Sequence, residues 1–186
     1  DYSEEFQKGL QTQSGKIEFI PESLKKFDDP DRPPLNKYIP SWEGTQTTDL
    51  FKKFPLQLIS SHARYSFHTL GDGKDSTIND IRDHRMLIDG HYYWIARVNR
   101  SDAKARGVQH SDLIVLHNDR GSVMCAAYLT ERVRPGVVQA YESSAVYEPV
   151  GEPGKSTDCG GCVNQLTNQR SQSKKSSAMA PNACLI

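Results

Sequence analysis

Apolar and polar residues alternate along several short stretches of the chain, the period of two that marks half-buried strands. Near the amino end, Gly15-Lys-Ile-Glu-Phe-Ile20 predicts one such strand. Leu56-Gln-Leu-Ile59 predicts another, which runs into the polar loop Ser60-Ser-His-Ala-Arg-Tyr-Ser-Phe-His-Thr69. Tyr92-Tyr-Trp-Ile-Ala-Arg-Val98 is rich in aromatic and β-branched residues and predicts a third. Asp112 to His117 and Ser122 to Thr130 predict a hairpin closed by Asn118-Asp-Arg-Gly121, with glycine where a turn tolerates positive φ. Arg134-Pro-Gly136 reads as a further turn and Val137 to Tyr141 as a further strand.

Helical signals are few. Ser101 to Gly107 predicts a two-turn helix, with Ser101 as its cap and Gly107 closing it in a left-handed conformation. A helical turn is predicted near Thr77 to Arg82. Asp28 to Pro40 carries Pro30, Pro33, Pro34 and Pro40, so it is extended and poor in backbone donors. Glu148 to Ser177 is polar and Gly/Ser-rich and reads as a loop, too long to be idle in a compact domain unless it binds something. Many short strands, one or two short helices and frequent turns predict a mainly β fold built as a small barrel. Residues 1–53 form an extended arm with one strand, and residues 54–186 form the barrel.

Composition narrows the function classes. Twenty-three basic residues balance twenty-three acidic ones, so no global field draws nucleic acid or an anionic membrane. No apolar run approaches the roughly 20 residues of a membrane span, and no leader-like apolar segment opens the chain. The apolar last step, Ala183-Cys-Leu-Ile186, reads as a strand interrupted by truncation. Cys125 lies in an apolar run and reads as a buried small hydrophobe. Cys159-Gly-Gly-Cys162 has the spacing of a redox or metal pair, but it has no second pair to complete a metal site and lies in a Gly-rich loop.

The order of the motifs says more than any one of them. Leu56 to Thr69 comes first, then Val98-Asn-Arg-Ser-Asp-Ala103 with Arg106-Gly107. Asp112-Leu-Ile-Val115, Asn118 to Gly121 and Thr130-Glu-Arg-Val-Arg-Pro-Gly-Val-Val138 follow, and Gly161-Cys-Val-Asn-Gln-Leu-Thr167 closes the series. In this order the chain resembles the carboxy-terminal dinucleotide-binding domain of the dimethyl-sulfoxide-reductase superfamily. Ser14 to Phe19 is similar to the segment that precedes that domain. Within the superfamily, His62 to Thr69, Tyr92 to Asn99 and Ser156 to Asn164 most resemble the large subunits of pyrogallol–phloroglucinol transhydroxylases. The resemblance implies a double-psi β-barrel with a few short flanking helices. It also implies a bis-molybdopterin guanine dinucleotide cofactor with molybdenum or tungsten.

By pattern alone, Asp102 is an acidic residue favoured by the dipole at a helix amino end. The resemblance makes it the guanine-facing acid, since one carboxylate can accept both N–H donors of a guanine edge. Asn99 holds that turn or touches the nucleoside, although Arg100 stands where the family commonly has proline. The hydroxyls, imidazoles and guanidinium of the loop after the second predicted strand can donate to phosphate oxygens and pterin heteroatoms. Ser61, His62, Arg64, Ser66, His68 and Thr69 are therefore cofactor-binding candidates. Gly161, with Gly160, permits close backbone approach, Asn164 offers both donor and acceptor, and Lys174 can neutralise a phosphate. The family's metal is held by the pterin dithiolenes, so no metal ligand and no catalytic residue is expected in this chain.

The implied partners are the remaining domains of one large subunit and an iron–sulfur small subunit, with a phenol substrate bound elsewhere and a cytoplasmic setting. Two alternatives stand beside this reading. One is another superfamily reductase or dehydrogenase, acting on thiosulfate, polysulfide, arsenate or formate. The other is a double-psi barrel without catalysis that binds a protein partner.

Overall fold

The computed structural model describes residues 9–35, 37–65, 81, 83–142, 144, 146–179 and 183–186. The predicted helical turn near Thr77 lies outside these residues apart from Ile81. The chain forms two compact units, Pro40–Asn168 with Pro181–Ile186, and Asp1–Ile39 with Gln169–Ala180.

The larger unit is built on β3 (His91–Val98), with Trp94, Ile95, Ala96 and Val98 buried. Burial on both faces makes it central. It pairs antiparallel with β2 (Arg85–Ile88) and β6 (Val137–Tyr141), and parallel with β5 (Gly121–Leu129). Strand β1 (Gln57–Ser61) runs parallel to β6, in register from Gln57↔Val137 to Ser61↔Tyr141. Strands β4 (Leu113–Asn118) and β5 form the predicted hairpin. Strand β11 (Ala183–Leu185) closes on β1, and Leu56 and Ile186 exchange both backbone hydrogen bonds beside it. The result is a mixed nine-stranded sheet curled as a half-barrel, with few helices, which agrees with the predicted fold class. Leu58, Val98, Leu116, Val123, Val138 and Leu166 fill its core. Each such side chain contributes roughly 1.5–3 kcal/mol on burial.

Helix α2 spans Arg100–Ala105, and Ala103 is fully buried. The cap is Asn99 rather than Ser101: its Oδ1 accepts from the Ser101 amide at 2.9 Å and from the Ser101 hydroxyl at 2.7 Å. The cap thus lies two residues earlier than the Ser signal suggested. Gly107 closes it at φ +69°, as its position predicts. Gly121 corrects the hairpin reading, since its φ is not positive. What constrains it is Gln165, whose Oε1 lies 3.2 Å from where a Cβ would sit.

The segment read as a long loop carries regular structure. Strand β7 (Pro149–Val150) pairs with β8 (Thr157–Asp158), β8 joins β5, and a 3₁₀ turn at Val163–Leu166 buries Val163 and Leu166. Residues 40–53 also belong to this unit. Glu43 accepts both arms of Arg120, at 2.8 and 2.7 Å, a bidentate pair largely removed from solvent.

In the smaller unit, α1 (Glu22–Phe27) lies with the hairpin β9 (Ser171–Ser173) and β10 (Ser176–Met179). The Ser173 hydroxyl donates to the Asp29 carboxylate, and Arg32 Nη2 donates to the Gln172 carbonyl at 3.0 Å. The strand predicted at Gly15–Ile20 is absent: Ile17 and Phe19 are 72% and 79% exposed, with no ladder partner among the described residues. Alternation without a neighbouring edge leaves nothing to pair with. No helix among the described residues is long and apolar enough to cross a membrane.

Candidate functional site

Two groups of candidate residues lie at opposite ends of the β1–β6 pair. At the β6 start, Asp102 in the first turn of α2 accepts the Gly136 amide on Oδ2 at 2.7 Å. Gly136 adopts φ +83°, which turns that amide toward the helix. Asn99 is buried, and its Nδ2 donates to the Val133 carbonyl at 2.8 Å and to Glu131 at 3.2 Å. With its Oδ1 given to the cap, Asn99 is committed to holding the turn that presents Asp102. Arg100 Nε lies 3.8 Å from Glu131, on the exposed side.

At the far end of β1, the Ser61 hydroxyl accepts from Gln139 Nε2 at 2.9 Å. His62 Nδ1 lies 2.8 Å from Glu142 Oε1, and the Arg64 guanidinium sits over the Tyr65 ring at 5.1 Å. Four residue steps along paired strands separate this end from the Asp102 end, about 13 Å at the usual rise. Ser66, His68 and Thr69 lie outside the described residues.

Beneath the β1 end lies an aromatic cluster. His84, fully buried, stands 5.8 Å from Trp94, 5.3 Å from Tyr141 and 5.8 Å from Tyr65, centroid to centroid. Burial pushes the His84 imidazole toward its neutral form; Asp83 opposes this and Arg97 reinforces it. Ser60 Oγ, His84 Nδ1 and Trp94 Nε1 are buried without a hydrogen-bond partner among the described residues. Such groups cost about 1–3 kcal/mol each, and they concentrate where something further completes the bonding. The donor chemistry gathered here therefore fits an acceptor-rich ligand.

Gly161 adopts φ +81°, and a Cβ there would sit 2.5 Å from Trp94 Cδ1; at Gly160 it would meet the Val146 carbonyl at 2.2 Å. Internal packing already requires both glycines. The loop is pinned by Asp158, which is almost fully buried. Its Oδ1 accepts the Glu148 and Gly160 amides at 2.8 and 2.9 Å, and its Oδ2 accepts the Cys162 amide at 2.7 Å and Gln165 Nε2 at 3.1 Å. Asn164 is exposed on the 3₁₀ turn. Lys174, exposed in the other unit, donates its backbone amide to Asp31 at 3.1 Å.

Burial and the nearby Asp158 charge raise the Cys159 and Cys162 thiols, which disfavours the thiolates that redox or metal chemistry needs. No group of three or more His, Cys, Asp or Glu among the described residues is arranged to hold a metal ion. A separate apolar cavity of about 340 Å³, lined by Phe54, Leu56, Val98, Ile114, Val138 and Ile186 among others, contains none of the candidate residues.

Sequence reasoning missed Arg97, Gln139 and Asp158. Arg97 carried a signal, a lone charge inside an apolar strand run, which a sheet buries only when it is partnered. Asp158 and Gln139 carried none, because their roles depend on which distant backbone they meet.

Comparison with known proteins bears on the same residues. The family described as Molydopterin dinucleotide binding domain matches residues 56–185. The chain is 52% identical over 184 residues to the pyrogallol hydroxytransferase large subunit of Pelobacter acidigallici, covering 96% of this chain and 21% of that protein. It is 36% identical over 168 residues to dimethyl sulfoxide reductase DmsA of Escherichia coli, covering 87% and 19%. Acetylene hydratase from Pelobacter acetylenicus shares the fold, with a TM-score of 0.60 and 17% identity over 87% of this chain and 21% of that one. The chain thus spans about one fifth of the length of these relatives.

Proposed function

Because the chain belongs to the Molydopterin dinucleotide binding domain family, we propose that it cradles a pterin guanine dinucleotide along its β1–β6 pair. The whole subunit would be a molybdenum or tungsten oxidoreductase of the pyrogallol hydroxytransferase type, which moves hydroxyl groups between phenols. The observation that carries this reading is the separation of two unlike binding ends on one parallel pair. A carboxylate stands at one end and a cluster of hydroxyl, imidazole and guanidinium groups at the other, as a long ligand with a guanine, a pyrophosphate and a pterin requires.

In this reading Asp102 accepts the two guanine donors and Asn99 fixes its turn. A carboxylate has about four lone-pair sites, so the Gly136 amide leaves room for them. Ser61, His62 and Arg64, continued by Ser66, His68 and Thr69, serve the phosphates and pterin. Gly161 and Asn164 border the pterin edge. The bound cofactor supplies the redox and oxygen-transfer chemistry, its metal held by the pterin dithiolenes and by no residue of this chain. The other domains of the same subunit, an iron–sulfur small subunit and a cytoplasmic setting complete the proposal. The 36% identity to a dimethyl sulfoxide reductase keeps a superfamily reductase as the second reading.

Mass spectrometry and metal analysis of the full-length subunit, released under denaturing conditions, test the cofactor. About two guanine dinucleotide pterins per molybdenum or tungsten are expected. Asp102→Asn tests the guanine contact. Its amide oxygen still takes the Gly136 amide, but its NH₂ opposes the guanine donors, so retained dinucleotide should fall about tenfold or more with an unchanged melting temperature. Wild-type retention in that variant would rule Asp102 out. Conversion of pyrogallol by the full-length enzyme separates the two readings of the whole subunit.

A further inference from the structure

Arg97 is half-buried in β3, with its side chain 15% exposed. It is stacked over Tyr141 at 4.9 Å and Tyr128 at 5.7 Å, and Nη2 donates to the Asp83 carbonyl at 3.0 Å. Its Nη1 donates to Gln139 Oε1 at 2.5 Å. A guanidinium has only donors, so the oxygen of the Gln139 amide must face Arg97. The NH₂ group is then left for Ser61, and Nε2 donates to Ser61 Oγ at 2.9 Å. A hydroxyl that accepts there still carries its own proton, and among the described residues nothing accepts that proton from Ser61. Ser61 is only half-buried, so the proton is available to a ligand.

From this chain of forced orientations we propose that Arg97 and Gln139 are positioning residues that make Ser61 an obligate donor to an acceptor atom of the cofactor. The inference rests on the reading of Ser61 as a cofactor contact and deepens it. Arg97 fixes one amide orientation, and the amide fixes one hydroxyl orientation. The Ser61 position thereby selects a phosphate oxygen or a pterin carbonyl or ring nitrogen, and rejects a donor such as an amino group. Register makes the relay possible: Arg97 stands opposite Gln139 across β3 and β6, and Ser61 lies two residues beyond Gln139's partner Ile59 on β1, on the same face.

Gln139→Glu separates this role from plain stability. A carboxylate opposite Arg97 forms an ion pair, so a merely structural role predicts an equal or higher melting temperature and unchanged cofactor. The relay predicts the reverse for binding, because the carboxylate accepts the Ser61 proton and turns it away from the ligand. In the full-length subunit, Ser61→Ala should speed loss of the dinucleotide pterin about tenfold. Gln139→Glu should match it within about twofold, and the double variant should lose it no faster than either. Binding of GDP to cofactor-free full-length subunit locates the acceptor. Sensitivity of GDP to both variants places it on the phosphates, and sensitivity of the pterin cofactor alone places it on the pterin. If Ser61→Ala releases cofactor and Gln139→Glu retains it, the relay is wrong while the cofactor contact stands. If Ser61→Ala itself retains cofactor, the contact is wrong and the relay falls with it.

Discussion

The carboxylate of Asp158 accepts three backbone amides and one side-chain amide within a span of eighteen residues, from Glu148 to Gln165. Without it, Gly160 and Cys162 could not hold their amides inside the packed loop, and Gly161 would lose its seat against Trp94. Asp158→Asn is nearly isosteric, but it turns a donor toward two of these four partners. Bonds to a charged acceptor contribute about 1.5–3 kcal/mol each, so the variant should lose about 3 kcal/mol of stability, read from urea unfolding by tryptophan fluorescence. A loss under about 1 kcal/mol would show that the loop is held by packing instead. The cysteines that flank these glycines drew notice for their spacing, yet the residue that organises the loop is the acid before them.

Helix α2 is only six residues long, too short to persist unless its ends are bonded and its inner face is buried. Ala103 supplies the buried contact, and Asn99 supplies the cap together with a tie to the Val133 carbonyl. Asn99→Ala removes both, and a cost of about 1–2 kcal/mol is expected. Because Asp102 rides on this helix, the same change should loosen guanine dinucleotide in the full-length subunit, whereas Ser101→Ala should do neither. Equal effects of the two substitutions on the melting temperature would return the cap to Ser101. The sequence favoured Ser101 because serine is a good cap in isolation. Asn99 wins because the turn after β5 brings a carbonyl within its reach.

Over the whole molecule, buried titrating groups set the pH range of stability. His84 is held below its ordinary value of 6.5 by burial, so the unfolded chain binds a proton that the folded one refuses. Stability should therefore fall as pH drops below about 6.5. Burial drives Cys125 from 9.0 to about 12 and Cys184 to about 11. The folded state keeps these protons while the unfolded thiols ionise, so stability should also decline as pH rises above 9 through those values. Urea midpoints at pH 5, 7.5 and 10 should peak in the middle. Cys125→Ala should flatten the alkaline side and His84→Gln the acid side. A midpoint independent of pH from 5 to 10 would mean that these groups are solvated in the folded state.

The sequence alone determined five of the strands between Leu56 and Tyr141, the mainly β class and the family, because period-two patterns, turn residues and motif order are local and linear; β2 (Arg85–Ile88) it did not mark. Ser61, His62 and Asp102 could be named as candidates for the same reason: each follows a predicted element whose end is marked in the chain. Tertiary structure decided the rest. The Gly15–Ile20 alternation had the right period but no edge to join, and Glu148 to Ser177 looked structureless because its order comes from Asp158, Val163 and Leu166 meeting a distant sheet. Arg97, Gln139 and Ser61 are separated by dozens of residues, and only strand register makes them neighbours. Hydrogen-bond direction is a property of such neighbours, so it can be read only once the chain has folded.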